Sequence, residues 1–160
     1  MPTPTYTPLA NLTLGSSAAS VTFSSISQAY RDLVLVATPI STINDGYLAL
    51  QFNGSSSNYS MVNMEGNGTS TYSYTYSQIW VTLNNQNMWT TPSTFLINVM
   101  DYKQTDKHKT ALLKGGTASQ SLGASVGRWA DTTAITSVTL QATSATFAAG
   151  STFALYGIAA

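Results

Sequence analysis

Tyr47-Leu48-Ala49-Leu50-Gln51-Phe52-Asn53-Gly54 decides the fold class. Leu48, Leu50 and Phe52 alternate with Tyr47, Ala49 and Gln51, so an extended chain places the three large apolar side chains on one face. A helix would scatter them around its circumference. Asn53-Gly54 follows, a dipeptide that readily adopts the positive φ angles of a tight turn. The stretch reads as a half-buried β-strand closed by a turn.

Runs of this kind recur in both directions. Upstream, Arg31–Thr38 contains Leu33-Val34-Leu35-Val36, apolar on both faces, as expected for a strand covered on both sides. Further back, Leu9–Leu14 and Val21–Phe23 flank the turn Gly15-Ser16-Ser17. Asn44-Asp45-Gly46 reads as a tight turn ahead of Tyr47. Downstream, Ile79–Leu83 alternates Ile79, Val81 and Leu83 against Trp80 and Thr82, and Phe95–Tyr102 places Phe95, Ile97 and Val99 on one face. Thr110–Lys114, Ile135–Ala142 and Thr152–Ile158 complete the series. Ile135 is out of phase by one with Val138, Leu140 and Ala142, which predicts a bulge. Asp101–Lys109 is the only charge-dense stretch and reads as a solvated hairpin tip.

No window of about eleven residues carries a helical stripe; Ala124–Ala134 is the nearest candidate for a helical turn. Roughly eight to ten strands at this spacing predict an all-β chain, a single two-sheet β-sandwich of jelly-roll-like topology over residues 9–160. Residues 1–8 read as an extended Pro-rich arm. Pro2, Pro4 and Pro8 fix φ and remove amide donors. With Tyr6 as an anchor, the four residues form a candidate contact with a neighbouring subunit or shell.

At 160 residues the chain fits one domain, which buries roughly 70% of its unfolded surface and needs no covalent staple. It has no cysteine, hence no thiol chemistry and no Cys-based zinc site. Six Lys and Arg balance six Asp and Glu. Nucleic-acid binders carry an excess of cations to displace counterions from phosphates, so that partner is disfavoured. Charged residues make up 8% of the chain, against about 25% in ordinary domains. Ser, Thr, Asn and Gln supply the polarity instead, and neutral polar surfaces are less costly to desolvate against another subunit. Zero net charge also favours association. These features predict a homo-oligomer, a trimer ahead of a dimer. No apolar run approaches the roughly 18 residues of a membrane span, and Met1-Pro2-Thr3-Pro4 does not open a signal peptide.

Catalytic patterns are sparse. His108 is the only histidine and sits between Lys107 and Lys109. Asp32, Asp45, Glu65, Asp101, Asp106 and Asp131 are scattered and match no calcium-loop spacing. The expectation is a non-enzymatic protein without metal or cofactor. Arg31-Asp32 opens the most apolar strand, and Arg128 and Asp131 precede the Ile135 strand. An ion pair joining the two segments would position them, since Arg offers carboxylates a planar fork. Tyr72, Tyr74 and Tyr76 alternate with Ser and Thr, so a strand puts all three rings on one face. They serve either as packing under a neighbouring sheet or subunit, or as a recognition face for a sugar or partner.

Two segments carry a resemblance. One runs Val21-Thr22-Phe23-Ser24-Ser25-Ile26 and Tyr30-Arg31-Asp32-Leu33-Val34-Leu35-Val36, then Leu50-Gln51-Phe52-Asn53-Gly54 and Asn58-Tyr59-Ser60. The other runs Trp129-Ala130-Asp131, Ile135-Thr136-Ser137-Val138-Thr139-Leu140 and Phe147 to Ile158, ending Gly150-Ser151-Thr152-Phe153-Ala154-Leu155-Tyr156-Gly157-Ile158. Together they resemble small virion structural proteins of cyanobacterial and other aquatic bacteriophages. Met61–Thr94 does not share the likeness. The resemblance implies a location on the particle, assembled in the host cytoplasm, and no catalytic residue. A capsid decoration or cement protein that binds the major capsid protein and stabilises the shell is one expectation. A head or tail fibre tip domain that binds a host surface glycan is the other. The absence of a fibrous or coiled-coil shaft favours the first.

Overall fold

In the computed structural model, which describes residues 5–80, 87–117 and 121–159, the alternating runs become strands of two antiparallel sheets. They are β1 (Tyr6–Thr13), β2 (Ser20–Phe23), β3 (Asp32–Thr38), β4 (Tyr47–Phe52), β5 (Tyr59–Gly66) and β6 (Thr71–Tyr76), then β7 (Ile79–Trp80), β8 (Ser93–Met100), β9 (Lys109–Thr117), β10 (Leu122–Trp129), β11 (Val138–Thr143) and β12 (Thr152–Ile158). The larger sheet has the order β1-β12-β3-β8-β9-β10-β5-β6, and the smaller β2-β11-β4-β7. No helix occurs among the described residues. The chain is all-β, and its sheets pack as a sandwich.

The period-2 pattern explains the packing. Leu33, Leu35, Phe95, Ile97, Val99, Phe153 and Leu155 of the large sheet are buried against Val21, Leu48, Leu50, Phe52, Val138 and Leu140 of the small one. Val34 is buried as well, so the β3 run is covered on both faces, as its composition predicts. Two glycines let the layers close. A Cβ at Gly157 would run into the ring of Tyr30, and one at Gly127 would sit 2.9 Å from the Ile79 side chain of β7. The Asn53-Gly54 turn has φ of 50° and 68°, with Ser55 N–H donating to Phe52 O at 2.9 Å. The Asn53 side chain also accepts from Thr136 N at 2.8 Å and donates to Ala134 O at 2.9 Å. One residue therefore makes the turn and ties it to the approach to β11.

Several expectations need correction. Ala124–Ala134 forms no helical turn: its first half belongs to β10, paired on both sides. Ile135 lies ahead of β11, buried, with its N–H on Tyr102 O at 2.9 Å, so its phase marks the end of a loop. The irregularity is instead in β1, between Pro8 and Ala10. Only Ile79 and Trp80 of the Ile79–Leu83 run pair with β4; Val81 and Leu83 lie outside the described residues.

Candidate functional site

The N-terminal contact residues are split by the structure. Pro2 and Pro4 lie outside the described residues, whereas Tyr6 and Pro8 belong to β1, opposite Ile158 and Tyr156. Of the extended arm expected over residues 1–8, Tyr6, Thr7 and Pro8 therefore belong to the large sheet. Pro8 is accommodated because β1 is an edge strand, where a missing N–H interrupts no second ladder. Tyr6 remains 59% exposed.

The proposed ion pair between segments does not form. Arg31 binds its own neighbour, Asp32, with Nη2 to Oδ2 at 2.8 Å and Nε to the same oxygen at 2.9 Å. The second Asp32 oxygen accepts Asp101 N–H at 2.8 Å, which joins β3 to the end of β8. Asp131 accepts the Thr133 amide at 2.7 Å, and that bond holds its carboxyl below the ordinary value. Arg128 is exposed on β10. Strand order supplies the reason: β8 and β9 separate β3 from β10, roughly three strand spacings or 14 Å.

Nor is the charged tip uniformly solvated. Lys107 pairs with Asp101 at 2.8 Å near the surface, and His108 is exposed. Lys109 is buried, its ammonium donating to Lys107 O at 3.2 Å, Thr132 O at 3.0 Å and Gln104 O. Burial pushes its pKa down. The ammonium fastens the β8–β9 loop to the segment after β10. Among the described residues, no group of three or more His, Cys, Asp or Glu side chains could hold a metal ion.

The tyrosines do share one face. Tyr72 and Tyr74 stack with centroids 6.1 Å apart at 17°, and Tyr74 meets Tyr76 at 6.2 Å and 43°. They stand opposite Glu65, Asn63 and Met61 of β5, on the side of the large sheet that faces inward. Asn63, Glu65 and Ser125 form a buried polar row there, with Ser125 Oγ to Asn63 Oδ1 at 2.6 Å and Asn63 Nδ2 to Glu65 Oε2 at 3.5 Å.

Across the same strands the other face carries what sequence reasoning missed. Val62, Met64, Leu112, Leu122 and Val126 point outward and are exposed, while Asn63, Ser125 and Gly127 between them point inward. Opposite pairs in register join them into one surface: Met64 with Ala124, and Val62 and Leu112 with Val126. The available signal was the alternation of apolar with Gly, Ser or Asn in Leu122–Gly127 and Met61–Met64. The outer face of the small sheet differs. Thr22, Thr139, Gln51 and Gln141 dominate it, with Thr22 and Thr139 hydrogen-bonded at 2.8 Å. Comparison with known proteins finds no matching family model, curated protein or solved structure.

Proposed function

We propose that the chain is a bacteriophage virion structural protein, a capsid decoration or cement protein that binds the major capsid protein and stabilises the shell as a homo-oligomer. The observation that carries the assembly reading is the outward apolar face of β5, β9 and β10 on a chain with 8% charged residues. Large exposed apolar patches of this kind mark interaction sites, protein–protein contacts among them. The virion assignment itself comes from the resemblance of the Tyr30–Val36 and Gly150–Ile158 segments. What supports treating those segments as one unit is that they are paired neighbours, with Val34 opposite Tyr156 and Leu35 opposite Leu155.

We read the strand wiring as a jelly roll with insertions. In support, β1-β12-β3-β8 and β2-β11-β4-β7 are the two four-strand orders that a pair of Greek keys produces. The hairpins β5–β6 and β9–β10 are then additions that widen one sheet. On this reading the protein has no catalytic role, and neither nucleic acid nor membrane is a partner.

Gold-labelled antibodies against the chain test the assignment on intact phage particles. Labelling of the capsid shell is the expected result. Labelling of fibre tips instead supports the second reading, a glycan-binding tip, which the stacked and partly exposed Tyr72–Tyr74 pair favours. Absence from purified particles overturns both.

A further inference from the structure

We propose that the outer face of β5, β10 and β9 pairs with the same face of a second copy of this chain. The two copies are related by a two-fold axis that crosses β10 between Ala124 and Val126. This rests on the assembly reading above and adds the occupant of the face. Leu122 is 71% exposed, Met64 61%, Val62 and Val126 48% each, Met100 42% and Leu112 40%. Together they show water on the order of 500 Å² of apolar surface, at the upper end for a monomer. Ala124, Ser60, Thr110 and the stems of Lys114 and Arg128 extend the face toward the roughly 800 Å² per partner of a stable pair.

The features of the face select a second copy. The whole chain is neutral, six cations against six anions, and the face's own charges are limited to Lys114 and Arg128. Flat antiparallel sheets stack face to face about 10 Å apart when small residues meet large ones. Ala124 supplies the small position: it lines a shallow depression with Met64, Leu112 and Val126. The proposed axis sets the partner's Val126 over it. The same rotation lays the Lys114 stem over the partner's Leu112 and brings neither Lys114 nor Arg128 onto its own copy. Of the remaining exposed large apolar residues, Tyr72 borders this face beside Met64 and Leu122, Tyr6 and Leu12 lie on β1, and Ile43 precedes β4. A ring would need a second patch for the first to meet, and among the described residues this face has only itself as a match. The inference is a two-fold pair, in place of the trimer expected from composition.

Sedimentation velocity of the full chain at micromolar concentration tests the pairing. Wild type should sediment as two 17.0 kDa chains. Val126→Glu carries a carboxylate into the apolar centre of the pair twice across the axis and should raise the dimer Kd at least about a hundredfold, with circular dichroism unchanged. Leu122→Gln, a milder change at the most exposed position, should raise it about tenfold. Gln141→Glu, on the outer face of the small sheet, should leave it unchanged. A monomeric or trimeric wild type, or dissociation by Gln141→Glu with Val126→Glu still paired, overturns the proposal. A monomer that nevertheless labels capsids refutes the pairing and leaves the virion reading standing. A dimer that is absent from particles does the reverse.

Discussion

The two halves of the large sheet obey opposite patterns. In β1-β12-β3-β8 the inward positions are large and apolar: Leu33, Leu35, Phe95, Ile97, Val99, Phe153 and Leu155. In β9-β10-β5-β6 many inward positions are polar or small, Asn63, Glu65, Ser125, Gly115, Gly123 and Gly127, while Val62, Met64, Leu112, Leu122 and Val126 face out. The first half draws its stability from the partner sheet of its own chain. The second half still sends Tyr59, Leu113 and Trp129 into the shared core, but it carries a further apolar set on the side away from that sheet. The direction of alternation, more than its presence, tells where the partner of a strand lies.

The widest separation between the halves should come from truncating one inward and one outward residue. Leu35→Ala leaves a cavity at a fully buried position and should cost about 3 kcal/mol of folding stability. Val126→Thr should change folding stability by no more than about 0.5 kcal/mol and weaken only association. Denaturant melts of both variants check this; equal losses would mean that the halves do not differ.

Ser125→Ala sharpens the comparison from the inside. It deprives Asn63 Oδ1 of its 2.6 Å donor in a buried row, so it should cost about 1–2 kcal/mol, although it removes only one oxygen. If stability instead rises, the polar row is not a fixed part of the inserted half.

The smallest effect belongs to the charged tip, outside both halves. The hydrogen bond from Lys107 holds the Asp101 carboxyl below its ordinary value of 3.8. The folded chain therefore takes up that proton less readily than the unfolded one. The stability it lends is present above pH 3.8 and is lost as pH falls through the depressed value. Asp101→Asn should flatten that acid limb and change Tm at pH 7 by no more than about 2 °C, since exposed pairs contribute little. A larger drop would make the tip part of the core.

Legibility in the sequence followed the same division. Leu48, Leu50 and Phe52, the Leu33–Val36 run and the Asn53-Gly54 turn specify their local structure through side-chain period and positive φ, and all three are found as read. β10 was misread because Leu122, Ala124 and Val126 alternate with Gly123, Ser125 and Gly127. Its inner side is small so that Ile79 can approach Gly127, which leaves no large buried residue to mark a strand until Trp129. The ion pair expected between the Arg31-Asp32 segment and the Arg128–Asp131 segment fails for another reason. Strand order places β8 and β9 between them, and order depends on long-range pairing that no local pattern encodes. Lys109 was assigned to solvent by its charge, yet three carbonyl oxygens receive its ammonium.

Methionine oxidation tests most directly whether the apolar outer face is covered. Met64 lies on that face and is 61% exposed in a single chain, whereas Met61 and Met88 are buried and serve as internal references. Hydrogen peroxide converts accessible methionine to the sulfoxide, which mass spectrometry locates by residue. In wild type at micromolar concentration, Met64 should oxidise nearly as slowly as Met61 and Met88, and Val126→Glu should release Met64, with Met100 of the same face, to rapid oxidation while Met61 and Met88 stay protected. If wild-type Met64 oxidises as fast as in the variant, the face stands open to water and the central claim is contradicted.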